Sequence, residues 1–352
     1  MKKIWSLISL VCLLFLISGC ESCRKNKNND VILKVDRQKA AEVKLNIKIK
    51  RFEHDLMEGS TTDLKIKSNQ LKDSYGYFFN IFCKNIINIG PPENAAFLGY
   101  LNDFTTDKSI REIYAEVKKD YSDLSILENE FSDALSNYKV LFPDKKIPQV
   151  VSFISGFNYS IITTDSVLGI GLDMFLGADC KFYKLLGMPM YKVRAMRREM
   201  IVSDGIRSWI STEFETKLPK EDLLSMMIQE GKFLYLMDNI FPDAPDSIKI
   251  SFSAKELEWC KNSEGSIWKF IVDKKLLFSS EYKENIKWIK EAPFTAGLPR
   301  ESPGRVGSWV GWQIIRSYMK NNQTLTVYDL MNNIDAQNIL NQSRYKPFVN
   351  KK

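Results

Sequence analysis

Between Asp222 and Asp238 the hydrophobic positions follow no single stripe. Leucine, methionine, isoleucine, phenylalanine and tyrosine together cover most of a helical circumference. A helix that is apolar nearly all round belongs at the centre of a domain. Gln229, Glu230, Gly231 and Lys232 interrupt it. A carboxylate there must be paired, neutralised or turned to a cleft, because burying a bare charge is costly. The simpler expectation is that Glu230 and Lys232 reach solvent through one narrow exposed face. The sharper one is that Glu230 looks into a pocket.

Other stretches carry cleaner periods. From Lys44 to Phe52, Leu45, Ile47 and Ile49 point one way and the lysines and Asn46 the other, which predicts a half-buried strand. Residues 62–142 have helical periodicity. Asp107 and Ser109 can cap a helix that begins near Ile110, and Leu124, Leu127, Phe131, Leu135 and Tyr138 keep a stripe until Phe142-Pro143. Asp73 to Gly90 is rich in aromatics and is stopped by Pro91-Pro92. Such a face is more often core than ligand site.

The texture changes at Pro148. Val150–Ile154, Tyr159–Thr164 and Val167–Leu172 are short apolar runs with turn residues between them, which predicts an antiparallel meander. Gly169 and Gly171 alternate on the last run and permit another backbone to approach. Helical patterns resume over Val193–Phe214, Ala254–Phe278 and Tyr282–Lys290. From Gly304 onward a helix would carry Gly304, Gly307 and Gly311 on one face. One reading is an anion grip by Arg300 and Arg305 at a helix start; the other is a smooth packing stripe with Arg305 in a structural ion pair. No Lys-Ser or Lys-Thr follows, so it is not a nucleotide P-loop, and packing is the better-supported reading. The expected fold class is α+β, mostly helical with a small antiparallel sheet, its strands near 44–52 and 150–172.

Composition adds bounds. The chain has 352 residues, 44% hydrophobic and 26% charged, ordinary for a folded protein with a sizeable core. The formal net charge of +7 comes from lysines scattered along the chain. It is not the focused basic face that nucleic-acid binding needs. Met1-Lys2-Lys3, the apolar run Ile4–Ile17 and Ser18-Gly19-Cys20 read as a secretory signal. The run Leu16-Ile17-Ser18-Gly19-Cys20 is similar to a bacterial lipobox. Residues 1–19 are therefore expected to be a signal peptide, residues 20–41 a flexible tether with lipid on Cys20 that holds the protein to a membrane, and residues 42–352 a single globular domain.

The chemistry inventory is short. His54 is the one histidine, and no GxSxG or HExxH motif is present. Cys23, Cys83, Cys180 and Cys260 remain after Cys12 leaves with the signal and Cys20 takes lipid. They contain no CxxC pair, and their disulfide state stays open. No metal site, no cofactor and no catalytic residue is assigned. Glu199, Asp204 and Glu230 are left as carboxylates that could line a cleft.

Several motifs occur in one order: the lipobox, Ile154-Ser-Gly-Phe-Asn-Tyr159, Gly169-Ile-Gly-Leu-Asp-Met-Phe-Leu-Gly177, Ala292-Pro-Phe-Thr295 and Ser302-Pro-Gly-Arg-Val-Gly-Ser-Trp-Val-Gly-Trp-Gln-Ile-Ile315. Together they resemble the gliding-motility lipoprotein GldB family of the Bacteroidetes, across nearly the whole mature chain. The resemblance implies an envelope lipoprotein associated with surface gliding, in bacteria whose gliding and type IX secretion machineries are linked, with other proteins of that apparatus as partners; the periplasmic face of the envelope is the expected location. That family is in turn similar to predicted zinc peptidases of the zincin type, which would make this a degenerate zincin-like domain. Where those carry HExxH, the alignment places Arg198-Glu199-Met200-Ile201-Val202, so zinc ligation is not expected. The expected role is a non-catalytic scaffold or assembly factor, a peptidase-like shape without the chemistry. The alternative is a carboxylate-dependent hydrolase of envelope peptide or glycan.

Overall fold

The small sheet is assembled from strands almost 120 residues apart in the chain. The computed structural model describes residues 31, 33–58, 63–215 and 218–347. The signal segment, Cys20 and Cys23 lie outside the described residues, so the expectations about them stay expectations. All the elements below belong to one compact unit, Leu33–Lys352.

Helix α1 (Arg37–Val43) is capped by Asp36, whose carboxylate accepts from the N–H groups of Gln38 and Lys39. The stretch expected to be a tether is thus helical from Arg37. Just before it, the Asn239 side chain accepts from the N–H groups of Lys34 and Val35. Strand β1 is only Ile49–Arg51, and α2 (Phe52–Glu58) starts at once. The alternation from Lys44 predicts a longer strand than forms. The extra alternation has another partner. The N–H groups of Leu45, Ile47 and Ile49 donate to the side chains of Ser136, Ser132 and Glu128. Two residues of extended chain advance about as far as one helical turn, so a strand-like period is satisfied by a helix.

Helices α3 (Leu64–Tyr75), α4 (Tyr77–Ile81), α5 (Phe97–Thr106), α6 (Lys108–Asp120) and α7 (Ser125–Leu141) follow, with Asp107 capping α6. A π-helical turn at Phe82–Ile86 extends α4. The aromatic-rich face of this region is core. Phe52, Phe78 and Phe82 are fully buried, and the Phe52 and Phe82 rings meet edge-on at 4.5 Å.

Strands β2 (Gln149–Phe153), β3 (Ile161–Thr163) and β4 (Val167–Gly171) complete a sheet in the order β1-β2-β4-β3. Among the described residues β3 and β4 pair antiparallel, while β1 with β2 and β2 with β4 are parallel. The sheet is therefore mixed, not the antiparallel meander expected. The cause lies in the loop after β2. The buried Asp173 carboxylate accepts from the N–H groups of Ser155 (3.0 Å) and Phe157 (2.7 Å). That grip turns the chain outward instead of back along β2, and the tight β3–β4 hairpin then returns β4 parallel to β2. Gly171 is required here, because a β-carbon on it would lie 2.0 Å from the Tyr159 carbonyl oxygen.

After the sheet come the short helices α8 (Lys181–Leu185) and α9 (Met190–Val193). A 3-10 turn at Arg198–Met200 leads into α10 (Ile201–Glu213), so the helix expected over Val193–Phe214 is broken. Helix α11 (Leu223–Ile240) is buried along nearly its whole length, as its all-round apolar pattern predicts. Helices α12 (Asp246–Ile250), α13 (Ala254–Asp273), α14 (Tyr282–Ile289), α15 (Val306–Asn321), α16 (Val327–Asn332) and α17 (Ala336–Ser343) surround it. The fold is α+β, mostly helical with one small sheet. Its main helix–helix contact joins α11 to α15.

Candidate functional site

The carboxylates singled out in the sequence fall at two places. Helix α10 packs on β3 and β4 and carries Asp204 and Arg207 among the buried Ile201, Ile206, Trp209 and Ile210. Helix α11 brings Glu230, whose Oε2 accepts from Arg207 Nη2 at 2.7 Å with both side chains largely shielded. Asp204 accepts from the Ser251 hydroxyl at 3.0 Å, at the end of α12. Burial pushes its carboxyl up to about 6, while Ser251, Arg207 and Arg305 pull it down.

Arg305 closes this cluster from the N-terminus of α15. Its backbone is left-handed at φ 57°, and its side chain is buried. It donates to the Ile250 carbonyl and lies 3.9 Å from Glu291. Burial, with Arg207 nearby, lowers it to about 10. Asp204, Arg207, Glu230 and Arg305 thus form one charge-compensated network in which each carboxylate has a donor. Arg207 holds Glu230 directly, and its charge, with that of Arg305, also acts on Asp204, whose own hydrogen-bond partner is Ser251.

Glu199 stands apart. It lies on the 3-10 turn before α10, exposed, at the rim of a cavity of about 730 Å³. Asp204 and Glu230 do not line that cavity. Its walls are α1, α7, the start of α10 and the segment after α11, with Ala134, Val202 and Ile240 as apolar floor and Glu130 and Asp133 beside Glu199 at the rim. Burial raises the Glu130 carboxyl, opposed by Arg198 and reinforced by Glu199 and Asp133. The expected HExxH counterpart, Arg198 to Val202, spans the 3-10 turn and the first residues of α10, so its five residues do not share one helix.

Two residues were not legible as parts of the site. The sequence pattern does not single out Arg207, because nothing local on α10 marks it as the partner of Glu230. Lys232 was expected to reach solvent beside Glu230. Instead it is buried, and its ammonium donates to the Asn333 carbonyl. Burial lowers it to about 8. Glu230 does not look outward alone either; Arg207 covers it.

His54 is half-exposed beside Glu58 (3.3 Å) and Asp55 (3.6 Å) on α2. Cys83, Cys180 and Cys260 are free thiols. Among the described residues no group of three or more His, Cys, Asp or Glu is placed to hold a metal ion, and no helix is long and apolar enough to cross a membrane.

The mixed sheet, the helix laid across it and the motif-bearing loops around Asp173 and Arg305 define a mostly helical α+β domain. The chain belongs to the family described as gliding motility protein GldB, whose model matches residues 34–347. Membership implies a role in gliding motility and association with the cell envelope. No curated protein and no solved structure matches the chain.

Proposed function

We propose that this protein is an envelope-anchored lipoprotein, held by lipid on Cys20 and facing the periplasm, that serves the gliding apparatus and its linked secretion machinery as a non-catalytic scaffold or assembly factor. The observation that carries this reading is the Arg207–Glu230 ion pair. A hydrolytic carboxylate must be free to hold a proton, a nucleophile's electron pair or a metal. Glu230 is instead bound to a guanidinium. The expected counterpart at Arg198–Val202 does not lie on one helix, but five residues further on, Ser203, Asp204 and Arg207 on α10 have the spacing at which a zincin helix carries its histidine, glutamate and second histidine. Arg207 then holds the carboxylate from the next long helix, where a zincin would hold zinc. That likeness supports a degenerate zincin-like shape whose charge is internally neutralised.

The hydrolase reading keeps one foothold. Glu130 and Glu199 line one cavity, and Glu130 is raised in the direction a general acid needs. The 730 Å³ groove serves equally as a seat for a peptide segment of a partner, which is how the scaffold reading uses it.

Complementation of a deletion strain tests the two readings. The alleles are wild type, Glu130→Gln/Glu199→Gln and Asp204→Asn/Glu230→Gln, scored for colony spreading with protein levels matched by blotting. The scaffold reading expects both double variants to restore spreading wherever they accumulate normally. A stable Glu130→Gln/Glu199→Gln protein that still co-purifies with the wild-type set of envelope proteins yet fails to restore spreading sinks it in favour of chemistry in the groove.

A further inference from the structure

We propose that the segment from Lys181 to Arg198 is a membrane-contact surface that sets an apolar tip into the headgroup layer of an anionic bilayer. The tip is the turn between α8 and α9. Leu185 is 79% exposed, Leu186 56% and Met190 64%. Three large apolar side chains standing together in water are costly to leave uncovered, and such patches mark interaction sites.

The turn is built to hold its shape. Gly187, at φ +63°, donates its N–H to the Lys184 carbonyl at 3.1 Å, and Met188 donates to the Tyr183 carbonyl at 3.0 Å. Val193 donates to the Pro189 carbonyl at 3.1 Å. Beneath it, Tyr183, Val193 and Met196 form a buried cluster of their own, with Phe157 and Met188 packed against it. The Tyr183 hydroxyl donates to the Asp173 carbonyl at 2.8 Å and accepts from the Leu176 N–H at 2.9 Å. The tip is thus pinned to the loop that Asp173 organises, and the apolar side chains point outward from a firm base.

Charge selects the occupant. From Asp179 to Arg198 there are six Lys and Arg residues and one acidic residue, Asp179 itself. Lys184 and Lys192 flank the tip on either side. Among the described residues neither is in an ion pair, whereas Lys181 and Arg194 are paired with Glu112 and Glu256. An apolar tip flanked by two lysines that no acidic group neutralises is the complement of an anionic lipid surface: tails under the tip, headgroup phosphates against the lysines. A protein partner would need an apolar socket with an acidic collar. The proposal rests on the envelope reading only in that the domain must work beside a bilayer.

The test uses the full-length protein reconstituted into vesicles of phosphatidylcholine, with or without phosphatidylglycerol, that carry a trace of a photoactivatable phospholipid. Mass spectrometry maps the labelled peptides and separately reads the mass of the N-terminal peptide. We expect label on the Lys181–Arg198 peptide, several times stronger in anionic vesicles. Leu185→Asp/Met190→Asp should lose most of it while melting at the wild-type temperature. Lys184→Glu/Lys192→Glu should lose only the anionic preference. The idea is overturned if the wild-type segment stays unlabelled, or if labelling is unchanged in Leu185→Asp/Met190→Asp. An unlabelled wild-type segment whose Asp variants nonetheless abolish spreading would assign the surface to a protein partner instead. Because the vesicle supplies the bilayer, the result does not depend on the motility role, and a missing lipid on the N-terminal peptide would count against the anchor alone.

Discussion

Gly231 and Gly311 meet backbone to backbone where α11 crosses α15. A β-carbon on Gly231 would lie 2.3 Å from the Gly311 carbonyl oxygen, and one on Gly311 would lie 1.8 Å from the Met227 carbonyl oxygen. Backbone cannot rotate aside as a side chain can. Overpacking a core usually costs about 1–3 kcal/mol, and Gly311→Ala should reach the upper end or beyond. Far-UV circular dichroism during heating should show a clearly lower midpoint than wild type. An unchanged midpoint would mean that the two helices part without penalty.

Asp238 should be the most sensitive charged position. Its fully buried carboxylate accepts from Trp312 (2.9 Å), from Arg316 through two nitrogens (2.8 and 2.7 Å) and from Lys249 (3.0 Å). Removing it leaves Lys249 shielded from water without its carboxylate, while Arg316 keeps Asp246 (3.0 and 2.8 Å); breaking a buried pair in this way costs about 3–5 kcal/mol. Asp238→Ala should lower the urea midpoint strongly. Arg316→Ala should cost less, because Lys249 still holds Asp238. The reverse ranking would contradict this account.

Asp173 gives a pH signature. Burial pushes its carboxyl up to about 6, against the N–H donors that lower it. A carboxyl raised on folding favours the folded state while protonated, below its unfolded value near 4. That advantage is lost as pH rises through 6. Asp173→Asn removes the titration but keeps an acceptor oxygen for Ser155 and Phe157. The variant should therefore gain on wild type as the pH of the unfolding titration goes from 4 to 7. Parallel stability curves for the two proteins would exclude this role for the carboxylate.

The Arg207–Glu230 pair should couple measurably. Hydrogen bonds to charged groups contribute about 1.5–3 kcal/mol, and both side chains here are about four-fifths shielded. A double-mutant cycle with Arg207→Met and Glu230→Gln isolates the interaction. We expect a favourable coupling of about 1–2 kcal/mol by denaturant unfolding. Zero coupling would demote the contact to a surface ion pair.

The core helices were legible because their physics is local. The all-round apolar pattern of α11 and the glycines of α15 carry their packing in the sequence, and Asp107 announces the start of α6. The sheet was only half legible. Each strand declares itself by β-branched residues, but parallel pairing of β2 with β4 depends on Asp173 reaching back eighteen residues to the loop after β2. The false length of β1 has a similar origin, since Leu45 and Ile47 alternate against hydroxyls of a helix about 90 residues on. Glu230 was visible as an anomaly in an apolar helix. Its partner was not, because nothing local distinguishes Arg207 until α10 is laid across the sheet. Lys232 misled because a lysine normally snorkels; here a carbonyl of Asn333 receives it inside.

Cys83 and Cys260 are wholly buried, one on the turn that follows α4 and the other on α13. Burial pushes the Cys83 thiol up to about 12 and raises Cys260 as well. The thiolate is the reactive form, so in the closed protein neither sulfur answers an alkylating reagent. Each becomes a clock that starts only when its surroundings open. One clock sits in the N-terminal helices and the other in the C-terminal ones. Equal alkylation rates identify a domain that opens as one piece, and unequal rates show which half lets go first.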